Sequence, residues 1–323
     1  MRKFILRNIR KSLLELESAT KVELSEKLGI SFPTISKFLT QMEKSGELFS
    51  AGLDDSSGGR RAKRYTYNPE YMLGLAIFLE KTETNYIVFN CLGEVKDTGK
   101  TLSVLVEDDL RSLTQYVEDI LRKYSKISSI AIGVPGSVDN GRIFYIPGYE
   151  HLQNFDLKRY LEDRFSIPVV VENDMNAAVL GYHARKGMKN KSLIYLYSGQ
   201  NGPGAGMMVN GVVVRGSTNF SGEISFVPLD GDRNFRQALE NESGEVDAIS
   251  RLVTSFVAIL NPHTMIFCDD EVNQLTINRI VKQSAKYIPT EHLPEFKISD
   301  WKQDYLFGLQ SIGFDLMVTE ISS

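Results

Sequence analysis

The stretch Pro168 to Val179, Pro-Val-Val-Val-Glu-Asn-Asp-Met-Asn-Ala-Ala-Val, changes character abruptly at its middle. Pro168 to Val171 is the short apolar run of a buried strand, whereas Asn176 to Lys186, carrying Ala177, Ala178, Leu180, Arg185 and Lys186, suits a helix. Asn173 and Asp174 therefore fall on a strand-to-helix turn. Parallel α/β sheets bind ligands outside the carboxyl ends of their strands, which puts these two short polar side chains where recognition or chemistry takes place. The plainer role open to Asp174 is to cap the helix.

The rest of the chain sets the context for that turn. With 323 residues, 42% hydrophobic and 24% charged, it can bury a sizeable core in two or three domains. The charged residues within the first ten interrupt any signal-peptide core, and no run approaches the ~20 apolar residues of a membrane span. Cys91 and Cys268 stand in neither a metal nor a redox spacing, so a reduced, cytoplasmic protein is expected. The net charge of -4 is unevenly spread: residues 1–70 hold 13 Lys+Arg against 9 Asp+Glu, or +4, leaving 24 against 32, or -8, for the remainder. That is the charge distribution of a small nucleic-acid-binding module on an acidic body.

In residues 1–70, Ile5, Ile9, Leu13 and Leu16 recur at helical spacing. Thr20 and Glu23 form a capping-box pattern that opens a short second helix, which Gly29 ends. Ser31 and Pro33 begin a third, with Ile35, Leu39 and Met42 facing inward. Helix, short helix, glycine turn, helix is the helix-turn-helix order, and its last helix would present Ser31, Phe32, Thr34, Ser36, Lys37 and Thr40 to a major groove. Strands at 48–51 and 64–67 enclose a loop with Gly58, Gly59, Arg60, Arg61 and Lys63, a basic wing able to reach phosphates or a minor groove. Asn68-Pro69 reads as a hinge, giving a winged helix-turn-helix domain at 1–70 and a second domain at 71–323.

Beyond the hinge, strands are predicted at 73–79, 86–90, 100–106, 129–133 and 193–197, helices at 109–124 and 155–165, and a hairpin turned on Asn210-Gly211. This alternation suggests a duplicated, two-lobed α/β fold with a cleft between the lobes.

The motifs carry a family resemblance. Gly-Gly-Arg-Arg at 58–61, Gly-Val-Pro-Gly at 133–136, Glu-Asn-Asp-Met-Asn-Ala-Ala at 172–178, Gly-Pro-Gly-Ala-Gly at 202–206, Gly-Glu-Ile at 222–224 and Leu-Asn-Pro at 260–262 follow in an order that resembles the ROK family of repressors, open reading frames and sugar kinases. The resemblance implies an actin-like, ribonuclease H-like body of sugar-kinase type. It further implies a sugar site at Gly136, Asn173, Asp174 and Glu223, with Asp174 the general base if the protein were a kinase. Glu150, His151 and Asn154 are nearby candidates to replace an asparagine that the family has where Gly148 stands, and Tyr182 replaces a habitual glutamate.

Two departures qualify the resemblance. Family kinases hold ATP phosphates with an Asp-x-Gly-Gly-Thr loop after the first strand of the large domain, where this chain reads Ala76-Ile-Phe-Leu-Glu80. Glycines let backbone N–H groups approach phosphate, and a glutamate repels it. In the second loop Pro203 removes one donor, and Asn201 stands where threonine is usual. The family's zinc histidine is Phe226 here, and Leu229 to Asp247 has no cysteine, so neither zinc nor any cofactor is expected. The expected function is a sugar-responsive transcriptional repressor that binds a palindromic operator in double-stranded DNA as a homodimer, with no membrane partner. The competing reading is an ATP-dependent sugar kinase with an accessory DNA-binding domain.

Overall fold

The computed structural model describes residues 2–53, 62–105, 110–199, 202–239 and 242–320. The amino-terminal unit comprises α1 (Arg2–Leu16), β1 (Ser18–Thr20), α2 (Lys21–Leu28), α3 (Phe32–Lys44), β2 (Leu48–Leu53) and β3 (Lys63–Tyr67). Thr20 accepts from the Glu23 amide while the Glu23 carboxylate accepts from the Thr20 amide, and Gly29 closes α2 in the left-handed region at φ 63°. Ile9, Leu13, Leu24, Ile35 and Leu39 make its core, joined by Phe38. The three strands form an antiparallel sheet in the order β1-β3-β2, so a wing hairpin follows the helix-turn-helix elements.

The first lobe of the body comprises β4 (Leu73–Leu79), β5 (Glu83–Asn90), β6 (Val95–Leu102), α4 (Arg111–Lys123), β7 (Ile127–Val134), β8 (Ser137–Asp139), β9 (Arg142–Tyr145), β10 (Phe155–Asp156), α5 (Leu157–Phe165), β11 (Val169–Asn173) and α6 (Asp174–Lys186). Its main sheet runs β11-β7-β4-β5-β6, with β11, β7 and β4 parallel. Every residue of β4 is buried, and its alternate residues serve two different cores. Leu73, Leu75, Ile77 and Leu79 pack with α4 and α5 residues such as Leu113 and Leu161. Ala76 and Phe78 face the opposite core, which contains Trp301, Tyr305 and Leu309.

The second lobe comprises β12 (Leu193–Tyr197), β13 (Gly204–Val209), β14 (Val212–Val213), β15 (Pro228–Asp230), β16 (Arg233–Asn234), α7 (Phe235–Leu239), α8 (Glu242–Leu260), β17 (Thr264–Cys268), α9 (Gln274–Ser284), β18 (Glu295–Ser299) and α10 (Trp301–Glu320). Its sheet runs β14-β13-β12-β17-β18, with β12, β17 and β18 parallel. Along β12, Ile194 and Leu196 face the α8–α9 core while Leu193, Tyr195 and Tyr197 face the core that holds α6 and α10. The last helix thus returns to pack on α6 and on β4 and β7 of the first lobe. Glycines permit the close crossing: a Cβ on Gly308 would overlap the Ala177 carbonyl, and one on Gly181 would overlap that of Asp304.

The structure corrects several expected boundaries. The third strand of the first lobe begins at Val95 rather than Lys100, because it is an edge strand whose exposed polar residues hide its length from a hydrophobicity reading. A hairpin, β8–β9, turns on Asn140-Gly141 with φ of 49° and 89°. Phe155 and Asp156 are a strand rather than the start of α5, paired with β9, and Asp156 caps the helix from the Arg159 amide. Among the described residues no helix is long and apolar enough to cross a membrane.

Candidate functional site

The cleft lies where β7, β11 and β12 end. β11 runs into α6 without a loop, and Asn173 rather than Asp174 caps the helix, accepting from the Asn176 amide at 2.9 Å. The same side chain donates to the Gly136 carbonyl at 3.0 Å and so pins the loop after β7. Asp174 occupies the first helical position, buried, with Oδ1 accepting from the Met175 amide at 2.7 Å. Burial pushes its carboxyl up to about 7, opposed by the Met175 amide and reinforced by Glu223. Across the cleft, burial also raises the Glu223 carboxyl, while a hydrogen bond donated by the Ser137 hydroxyl lowers it. Glu172 accepts from Arg215 of the second lobe, a second polar tie between the lobes.

Gly136, Asn173, Asp174 and Glu223 all line this cleft, with Pro135, Pro147, Tyr197, Pro203, Gly204 and Ser225 among their neighbours, around about 450 Å³ of space that includes its open mouth. No Lys, Arg or His belongs to the lining among the described residues. Glu150, His151 and Asn154 are absent from the lining, a correction to the sequence reading. All three are exposed beyond Pro147, and Asn154, at φ 62°, offers its carbonyl to Arg142. Proximity in sequence to Pro147 did not translate into proximity in space. Tyr182 is likewise remote from the lining: it is buried in α6, edge-on to Tyr195 at 6.1 Å.

The ends of β4 and β12 meet in a different setting. Phe78 lies 4.7 Å from Tyr305 and 5.7 Å from Trp301, and Tyr197 lies 4.9 Å from Trp301. All four rings are buried, as is Glu80 where β4 ends. Sequence reasoning missed this cluster, whose members are up to 227 residues apart. Nearby, potential ligand atoms of Cys268, Asp270 and Glu271 lie within 4.8 Å of one another. Each is engaged inside the protein: the thiol donates to the Leu196 carbonyl, Asp270 accepts from the Trp301 indole, and Glu271 accepts from Ser198. Burial raises the Cys268 thiol and takes the Glu271 carboxyl to about 7, a poor pair for a cation.

In the amino-terminal unit, Ser31, Phe32, Lys37 and Thr40 are exposed on α3, and Thr34 and Ser36 are half-buried beside them. Ser36 already accepts from Lys21 at 2.9 Å. Lys63 pairs with Glu43, and Arg64 is held by Ser18 and Glu23, so these two strand cations are bound to the helices rather than extended from the wing. Gly59, Arg60 and Arg61 lie outside the described residues.

These features define a two-lobed α/β protein of sugar-kinase type with an amino-terminal helix-turn-helix unit. The family model for ROK matches residues 75–246, more than half of the chain, and the chain belongs to the ROK family. It is 26% identical over 233 residues to the xylose repressor of Bacillus spizizenii, a match covering 68% of this chain and 59% of that protein. The chain therefore spans less than two thirds of that relative's length. Among solved structures, a ROK family transcriptional regulator described as a homolog of the E. coli MLC protein superposes with a TM-score of 0.71 at 16% identity, covering 97% of this chain and 98% of its own. A ROK family glucokinase from Streptomyces griseus in complex with glucose and AMPPNP superposes with a TM-score of 0.58 at 18% identity, over 75% of this chain and 99% of its own. At these identities the two structures speak for the fold.

Proposed function

We propose that the protein is a DNA-binding transcriptional repressor whose hold on a palindromic operator is controlled by an uncharged sugar in the inter-lobe cleft. The observation that carries this reading is the pairing of a sugar-type cleft, with Asp174, Glu223 and Asn173 at its centre, with a helix-turn-helix unit packed on the same body. A buried Asp174, a half-buried Glu223 and, among the described residues, a lining without cations suit a polyhydroxylated ligand and disfavour a phosphate or a sugar acid. Residues 1–70 would read DNA through Ser31, Phe32, Thr34, Ser36, Lys37 and Thr40, with Gly59, Arg60 and Arg61 of the intervening segment as further contacts and Lys63 released to phosphate only if it leaves Glu43.

A carboxyl near 7 is also what a general base would have, so Asp174 alone does not separate sensor from kinase. Phosphoryl transfer further requires a cradle for the nucleotide phosphates. Where family kinases carry that loop, this chain has the buried Phe78, Leu79 and Glu80, with Phe78 packed on Trp301 and Tyr305 and Leu79 turned into the opposite core. This favours a protein that binds sugar and does not phosphorylate it.

Control of DNA binding requires that the sugar prefer one arrangement of the molecule over another. A physical route exists: α10 backs the cleft through α6 and also meets α1, where Lys11 pairs with Asp315 at 3.2 Å. At the same junction Arg10, buried, binds Glu47 at 2.6 Å, and Tyr67 donates to the same carboxylate at 2.8 Å. In a two-fold dimer, cleft closure would change the separation of the two reading helices and hence their fit to half-sites.

The test is fluorescence anisotropy with the DNA upstream of the protein's own coding sequence, against random DNA, at ~0.15 M salt. Preferential binding that a sugar changes, in wild type but not in Asp174→Ala, is the expected result. Equal affinity for both DNAs would sink the proposal.

A further inference from the structure

Beside Glu223, and outside the cleft lining itself, three aromatic rings from both lobes converge. Tyr145, at the end of β9, stands 5.9 Å from Phe226 and 6.3 Å from Phe220, and the two phenylalanines are 5.3 Å apart. Phe220 and Phe226 remain 41% and 51% exposed although they touch one another. They ride on the turn that carries the cleft carboxylate: the Glu223 amide donates to the Phe220 carbonyl, and the Phe226 amide donates to the Glu223 carbonyl. Tyr145 is fixed to the opposite wall, its carbonyl lying where a Cβ on Gly136 would be. Behind Phe220 the surface continues as a trough of about 240 Å³ whose lining includes Met207, Ile224, Leu252, Phe256 and Ile259, the last 78% exposed. Gly222 and Glu223 line both the trough and the cleft, so one ligand can meet polar groups at one end and apolar surface at the other.

We propose that the cleft takes an uncharged glycoside with an apolar, flat aglycone, the sugar ring lying against Asp174 and Glu223 and the aglycone on Tyr145, Phe220 and Phe226. This rests on the sugar reading above and names its ligand class. A second sugar unit is the weaker occupant, because beyond Glu223 the platform and trough offer its several hydroxyls only the Tyr145 and Ser255 side chains, and unmade hydrogen bonds cost affinity. An aryl group loses nothing there, gains from leaving water, and stacks on rings at the observed spacing. Continuity through Glu223 argues for a single small ligand over a protein surface docking on the trough.

The experiment is calorimetric titration of the full-length protein with matched methyl and phenyl β-glycosides of xylose and glucose, with xylobiose and cellobiose as the two-sugar controls. The expected result is a phenyl glycoside binding at least ~10-fold more tightly than its methyl counterpart, a preference reduced to within ~2-fold by Phe220→Ala with Phe226→Ala and retained in Phe226→Tyr. Methyl glycoside affinity in the double variant serves as the check that the cleft is intact. Equal methyl and phenyl affinities, a disaccharide preferred over the phenyl glycoside, or a phenyl preference that survives the double substitution would each overturn the inference while leaving the sugar reading standing. If no sugar or glycoside binds wild type, both fall together.

Discussion

At one end of the inter-lobe cleft Asp174, Glu223 and Asn173 surround open space, whereas where β4 and β12 end Phe78, Trp301 and Tyr305 fill it; Tyr197 borders both. The two regions stand on the same helices, α6 and α10, and on the same two sheets. An enzyme of this fold must bind two substrates and bring them together, so its catalytic power depends on both ends being open and correctly charged. A sensor needs only the end that recognises its ligand. On the proposed sensor reading, keeping the polar end while packing the other with aromatic rings would turn a half-site the sensor does not need into core.

The largest effect should come from emptying the packed end. Phe78→Ala removes a buried ring held between Trp301 and Tyr305, and should cost about 3–5 kcal/mol in urea unfolding without creating nucleotide binding. Gly308→Ala attacks the support of both ends by forcing α10 away from Ala177, with an expected loss of about 1–3 kcal/mol and a parallel loss of sugar binding by calorimetry.

Asp174→Asn separates the ends, since it should weaken sugar binding about tenfold or more while leaving the aromatic cluster folded. Its effect on stability depends on pH. The folded carboxyl is raised to about 7, so its contribution is fully present below the ordinary carboxylate range and is lost as pH rises through 7. Thermal melts should therefore show the variant gaining on wild type from pH 4 to pH 8. A constant gap would mean that Asp174 is not the buried acid described here. The smallest effect belongs to Lys37→Ala on the exposed face of α3: operator affinity should fall and its salt slope drop by about 1, with sugar binding unchanged.

What the sequence made legible follows from how local each signal is. The capping box at Thr20 and Glu23, the left-handed Gly29 and the apolar stripe through Ile35 and Leu39 specify the amino-terminal unit from neighbours a few residues apart. Asn173 and Asp174 were found because strand, turn and helix are consecutive. The hairpin at Asn140-Gly141 carried an equally local signal and was overlooked. Glu150, His151 and Asn154 do not line the cleft, whose lining on this segment is Pro147, and no periodicity records that. The aromatic cluster was invisible because topology, not spacing, brings residues 78, 197, 301 and 305 together, and the Arg10–Glu47 pair was hidden for the same reason.

The most direct measurement is a pair of calorimetric titrations on one preparation, with a non-hydrolysable ATP analogue plus magnesium and with a panel of uncharged sugars. The account predicts heat from a sugar, lost in Asp174→Asn, and none from the nucleotide in either the presence or absence of that sugar. Saturable nucleotide binding, accompanied by ATP-dependent phosphorylation of the sugar that Asp174→Asn abolishes, would contradict it.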